Sequence, residues 1–177
     1  MSGDAVTLVK GYEVYVLPIL DYNSVIWSPY KAGDIIRIES VQRCFLKYLK
    51  GFEGLSYKER LVKADLSTLE LRRLYSDLIL CYKIVHNIIP LDCEKNFKRA
   101  PPTINTRGNK FKLKQIKAKS AARFNFFTAR VVNAWNSLPN VAVCAENAVV
   151  FKFCVKQFDM SKYLIQNFDY DFDEDFN

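Results

Sequence analysis

Ser67-Thr-Leu-Glu-Leu-Arg-Arg-Leu-Tyr-Ser-Asp-Leu-Ile-Leu-Cys-Tyr-Lys-Ile-Val85 is the stretch whose reading sets the fold class. Leu71, Leu74, Leu78, Tyr82 and Val85 recur every three or four residues, which places them on one face of a helix. Ser67 followed by Glu70 fits the capping box, in which a hydroxyl and a carboxylate satisfy the orphan amide donors of a helix start. The pattern stops around Asn87, before Pro90. Ser56 with Glu59 marks a second start of the same kind. Upstream, Asp34 precedes Ile35, Ile38, Val41, Phe45, Tyr48 and Leu49, one apolar stripe on a helix closed by Gly51. From Val14 to Trp27 the chain is apolar but interrupted by Pro18, which predicts a kinked helix, or a helix over about 18–27 that begins at the proline. Trp27 and Trp135 read as core anchors, given their apolar neighbours.

Downstream of Leu91, turn residues including Pro101 and Pro102 predict a loop. Lys110-Phe-Lys-Leu-Lys114 then alternates charge with apolar side chains, the period of a strand with one wet face. A short basic β-ribbon is expected near residues 109–117, with Phe111 facing inward. Ser120 is placed to cap a helix turning Phe124, Phe127, Val131 and Trp135 inward, ended by Leu138-Pro139. Asn147 is placed to cap a last helix using Val150, Phe151, Cys154, Val155 and Phe158. The expected fold is mainly α, with five or six helices and the ribbon. By segment it reads as a helical region over 1–94, a basic linker or ribbon over 95–119, a helical pair over 120–158 and an acidic, disordered tail over 159–177.

The chain has 177 residues, half of them hydrophobic, enough for one domain with a core. Its net charge of +7 is unevenly placed. Residues 1–94 carry 12 basic and 12 acidic side chains, and residues 159–177 one Lys against six acids. Residues 95–123 carry ten basic side chains and no acid, namely Lys95, Lys98, Arg99, Arg107, Lys110, Lys112, Lys114, Lys117, Lys119 and Arg123. Clustered Lys and Arg replace the counterions condensed on phosphate, so an anionic polymer is the expected partner. The candidate phosphate contacts are Lys98, Arg99, Arg107, Lys110, Lys112, Lys114, Lys117, Lys119, Arg123 and Arg130. Arg130 ranks above Arg72 and Arg73, because its own sequence neighbourhood lacks acids. The acidic tail could pair with the basic segment and mask it.

Other chemistry finds little support. The one His, His86, falls near a helix end, where a capping or half-buried role suits it better than nucleophilic catalysis. Cys81, His86 and Cys93 match no zinc spacing. Asp169, Asp171 and Asp173 start like a calcium loop, but Glu174 stands where glycine is needed. No phosphate-cradling glycine motif occurs, and no cofactor is expected. Five Cys without a CxxC pair read as reduced, mostly buried thiols. No apolar run approaches the roughly 18 residues of a bilayer crossing, so no membrane partner is expected and the chain reads as intracellular, in nucleus or cytoplasm.

Four blocks resemble the C-terminal part of reverse transcriptases from non-LTR retrotransposons, the Jockey-like and chicken-repeat-like group. They are residues 18–30 (PILDYNSVIWSPY), 34–43 (DIIRIESVQR), 55–61 (LSYKERL) with 69–73 and 77–83, and 126–139 (FFTARVVNAWNSLP). Thr106-Arg-Gly108 and Phe151-Lys152 also fall where that family has them, so the resemblance spans about residues 15–158. It implies the thumb and post-thumb region of an RNA-directed DNA polymerase, a largely helical part that grips template and primer, with RNA or DNA phosphate and the polymerase palm as partners. Two-metal phosphoryl transfer needs carboxylates that hold two metal ions about 4 Å apart, where they stabilise the attacking and leaving oxygens. The family's metal-binding aspartates lie upstream of the resembling region, and this chain has no Asp-Asp pair, so on its own it is not expected to polymerise. The alternative is a helical protein-interaction scaffold from a degraded transposon copy, with no nucleic-acid role.

Overall fold

The computed structural model describes residues 3–99 and 109–166, and the fold is mainly helical. Arg107 and most of the acidic tail lie outside the described residues. In chain order the helices are α1 (Gly3–Gly11), α2 (Leu17–Asp21), α3 (Ser24–Trp27), α4 (Ala32–Lys47), α5 (Tyr57–Ala64), α6 (Leu69–Val85), α7 (Cys93–Asn96), α8 (Ala121–Phe124), α9 (Phe127–Ser137), α10 (Asn140–Val143) and α11 (Ala148–Val155). The chain divides into two compact units, residues 1–73 with 164–177, and residues 74–163. The division falls inside α6.

In the first unit, a π-helical segment, Tyr12–Val16, joins α1 to α2. Pro18 explains it: proline lacks the amide that would continue the α-helical ladder and its ring crowds the preceding turn, so the helix widens there and resumes with Pro18 in its first turn. α4 departs from its expected stripe. Its buried side chains are Ile35, Glu39, Gln42 and Leu46, whereas Val41 is exposed and Tyr48 is 85% exposed. The two polar residues are buried because they bond to three other segments. Tyr57 donates to Glu39 Oε1 at 2.5 Å, and the Leu69 amide donates to Glu39 Oε2 at 2.9 Å. Gln42 Nε2 donates to Tyr57 Oη at 3.2 Å and to the Ser67 carbonyl at 3.0 Å. Around this network pack Val9, Leu17, Leu49, Phe52, Leu61 and Leu66.

The capping box at Ser56 and Glu59 is formed in full. The one expected at Ser67 and Glu70 is not. Thr68 Oγ1 accepts from the Leu71 amide at 3.2 Å, while the Glu70 carboxylate accepts from the amides of Ile165 and Gln166 at 2.6 and 3.2 Å. The start of α6 is therefore capped by Thr68 and, through space, by Glu39. Trp27 also departs from its expected role: it is 41% exposed and donates Nε1 to the Tyr22 carbonyl at 2.6 Å.

In the second unit, Trp135 is fully buried, Phe151 lies 5.8 Å from it, and Tyr82 stacks on Phe151 at 4.4 Å. Ser120 and Asn147 cap helices as expected. The helix from Ser120 breaks at Asn125, however, leaving α8 and α9 separate and Phe124 55% exposed. Val150 and Phe158 are also exposed. Cys81 and Cys93 are buried but Cys44 and Cys144 are exposed, so the thiols are free without being mostly interior. Among the described residues no helix is long and apolar enough to cross a membrane.

Candidate nucleic-acid interface

The basic segment is positioned by α9. Trp135 Nε1 donates to the Phe111 carbonyl at 2.8 Å, and the Asn136 amide donates to the Leu113 carbonyl and accepts from the Leu113 amide, both at 2.8 Å. Asn140 Oδ1 accepts from the Lys110 amide at 2.7 Å, and Asn109 donates to the carbonyls of Trp135 and Leu138. Gln115 donates to Asn133. These side chains take the place of a partner strand, and among the described residues the expected ribbon is not seen as paired strands. Among the described residues there is one antiparallel bridge, Arg99 with Leu113, beside a 2.7 Å bond from the Lys114 amide to the Lys98 carbonyl. The two-residue period survives without the sheet: Leu113 is 2% exposed, Phe111 half-buried, and Lys110 and Lys114 exposed.

Pinning the segment at Leu113 brings Lys98 and Lys114 together across the bridge. With α7 and α8 they enclose a groove of about 660 Å³, lined by Glu94, Lys95, Asn96, Lys98, Lys114, Gln115, Ile116, Lys117 and Arg123. Five cations thus face one acid. Lys95 reaches Asp92 at 3.6 Å, but its side chain is 83% exposed, and so open an ion pair is weak and easily exchanged for another anion. The Arg123 guanidinium lies 5.6 Å from the centre of the Phe126 ring. A second hollow of about 340 Å³ adjoins the groove, sharing Gln115, Ile116 and Lys117 and adding Ala118, Phe124, Ala129 and Asn133.

Of the residues expected to contact phosphate, Lys98, Lys114, Lys117 and Arg123 line this groove, and Lys95 joins them from the same basic run. Arg99, Lys110 and Lys119 are exposed outside its lining, Lys112 is half-buried, and Arg107 lies outside the described residues. Arg130 is a correction. Its Nε and Nη2 donate to the two oxygens of Asp77 at 2.7 and 2.9 Å, and Nη1 donates to the Asn125 carbonyl at 3.1 Å. The acid that neutralises it comes from α6, 53 residues away, so a neighbourhood in sequence could not reveal it. Arg72 is likewise held by Asp21 at 2.6 Å, and Arg73 is buried.

The remaining polar candidates make contacts within the second unit. His86 Nε2 lies 2.8 Å from the Val143 carbonyl, between Tyr82 and Phe111. Burial pushes the Cys81 thiol well up, so it stays protonated and packs instead of reacting. Among the described residues no three His, Cys, Asp or Glu side chains are gathered to hold a metal ion. No family model, curated protein or solved structure matches the chain.

Proposed function

We propose that this chain grips nucleic acid by its phosphate backbone, as the thumb and post-thumb portion of a non-LTR retrotransposon reverse transcriptase. The observation that carries the reading is the groove in which Lys95, Lys98, Lys114, Lys117 and Arg123 surround one carboxylate. Such an arrangement exchanges bound counterions for phosphates and is indifferent to base sequence. The four sequence blocks supply the parent family. In this reading the chain makes and breaks no bond, and the palm is a protein partner. The test is binding of the purified chain to single-strand, duplex and RNA–DNA hybrid probes, beside a Lys98→Glu, Lys114→Glu, Lys117→Glu variant. Loss of affinity by a similar factor on unrelated sequences supports backbone gripping; loss on one sequence only contradicts it.

A second reading, a protein-interaction scaffold, is favoured by a separate feature of the first unit. Val14, Tyr15, Ile19, Tyr22 and Ile26 are 62% to 75% exposed within a short stretch of chain, more apolar surface than solitary exposed residues account for. Absence of binding to every nucleic-acid probe would leave this reading standing in place of the first.

A further inference from the structure

The groove accounts for phosphate but not for the hollow beside it, nor for two phenylalanines that the break between α8 and α9 turns outward. Phe124 is 55% exposed and Phe126 is 49% exposed, while the adjacent Phe127 is buried. An apolar ring left in water is costly without an occupant. Phe124 lines the smaller hollow with Ile116, Ala118 and Ala129, apolar walls that continue into the cationic groove through Gln115, Ile116 and Lys117. Arg123 lies over Phe126 on the same flank. Cations that track a backbone, next to an exposed ring and a small apolar recess, are the combination that recognises single strands: phosphates pair with Lys and Arg while an unstacked base lies against the aromatic face.

We propose that the hollow walled by Phe124 and Ile116 receives an unpaired base of a single-stranded nucleic acid whose phosphates lie along the Lys95–Lys98–Lys114–Lys117–Arg123 groove. The inference rests on the phosphate-gripping function above and narrows its ligand. A base paired and stacked within a duplex cannot enter the recess, so the site favours single strands beyond what phosphate count gives. Stacking accepts any base, so little sequence preference accompanies it.

The test compares three probes of equal phosphate number at one salt concentration, an unstructured oligonucleotide, the same strand with abasic sites, and a duplex, against the parent chain and Phe124→Ala. The parent should bind the intact strand roughly 5- to 100-fold more tightly than the abasic strand, as loss of one stacked base does. Phe124→Ala should reduce intact-strand binding toward the abasic level and leave abasic and duplex binding unchanged. Equal binding of intact and abasic strands by the parent overturns the base site alone, because the phosphate grip would still be in evidence. A uniform loss on all three probes in a Phe124→Ala chain whose circular dichroism and melting match the parent overturns it as well, since Phe124 would then serve the phosphate grip and not a base. No binding of any probe overturns both this site and the function on which it rests. The abasic comparison uses the unsubstituted chain, so it decides even if the variant folds poorly.

Discussion

Replacing Arg130 by Ala separates a structural arginine from a phosphate-binding one. Asp77 has a side chain 4% exposed and Arg130 one 19% exposed, joined by two bonds of 2.7 and 2.9 Å. Removing the cation leaves a carboxylate charge in a place that water hardly reaches, and breaking a buried pair in this way costs about 3–5 kcal/mol. For a chain of this size a loss of that order lowers the melting midpoint by roughly 6–20 °C. Thermal and urea denaturation followed by circular dichroism should show the drop for Arg130→Ala. Arg130→Lys should fall between it and the parent, because an ammonium restores the charge but not the two-pronged geometry. Replacing both residues by neutral, similarly sized ones, Arg130→Met with Asp77→Asn, should recover much of the loss. At a temperature where Arg130→Ala is folded, its affinity for an oligonucleotide and the salt dependence of that affinity should match the parent. Unchanged stability together with a salt slope shallower by about 0.7 on single strands would refute the reasoning and make Arg130 a phosphate ligand.

Two further outcomes follow from the first unit. Burial holds the Glu39 carboxyl above its ordinary value of 4.5, so the native state keeps a proton that the unfolded chain releases. The stability this proton contributes is complete below the unfolded value and is lost as pH rises through the native one. Urea midpoints measured across that range should therefore decline with pH in the parent and decline less in Glu39→Gln, and parallel curves would remove Glu39 as the cause. Ser56→Ala loses one half of the capping box at the start of α5 and should cost about 1 kcal/mol, read as a lower urea midpoint with unchanged oligonucleotide binding.

Local signals carried the helices well where the stabilising partner is near in sequence. Ser56 with Glu59, Ser120 with the Arg123 amide, and Asn147 with the amides of Val149 and Val150 are all bonds within three residues. Signals failed where the partner is remote. Glu70 leaves its expected cap for amides at Ile165 and Gln166, and Arg130 is claimed by Asp77 from another helix. Hydrophobic spacing also misjudged α4, because Glu39 and Gln42 are buried by hydrogen bonds that apolar periodicity does not register. The alternation of Lys110 to Lys114 was legible, but its partner was not: the asparagines and tryptophan around α9 stand where a second strand was expected. For the site, composition identified the basic run, and only the bridge between Arg99 and Leu113 reveals that Lys98, Lys114 and Lys117 join Lys95 and Arg123 around one groove. Phe124 read as a core residue because helical spacing continued across Asn125, where the helix in fact breaks.

The most direct test of the gripping groove is the salt dependence of binding by the intact chain. If its five cations each meet one phosphate, log K should fall against log salt with a slope of about −3.5 on single strands and about −4.5 on duplex. The same affinity at 50 and 200 mM salt would contradict it.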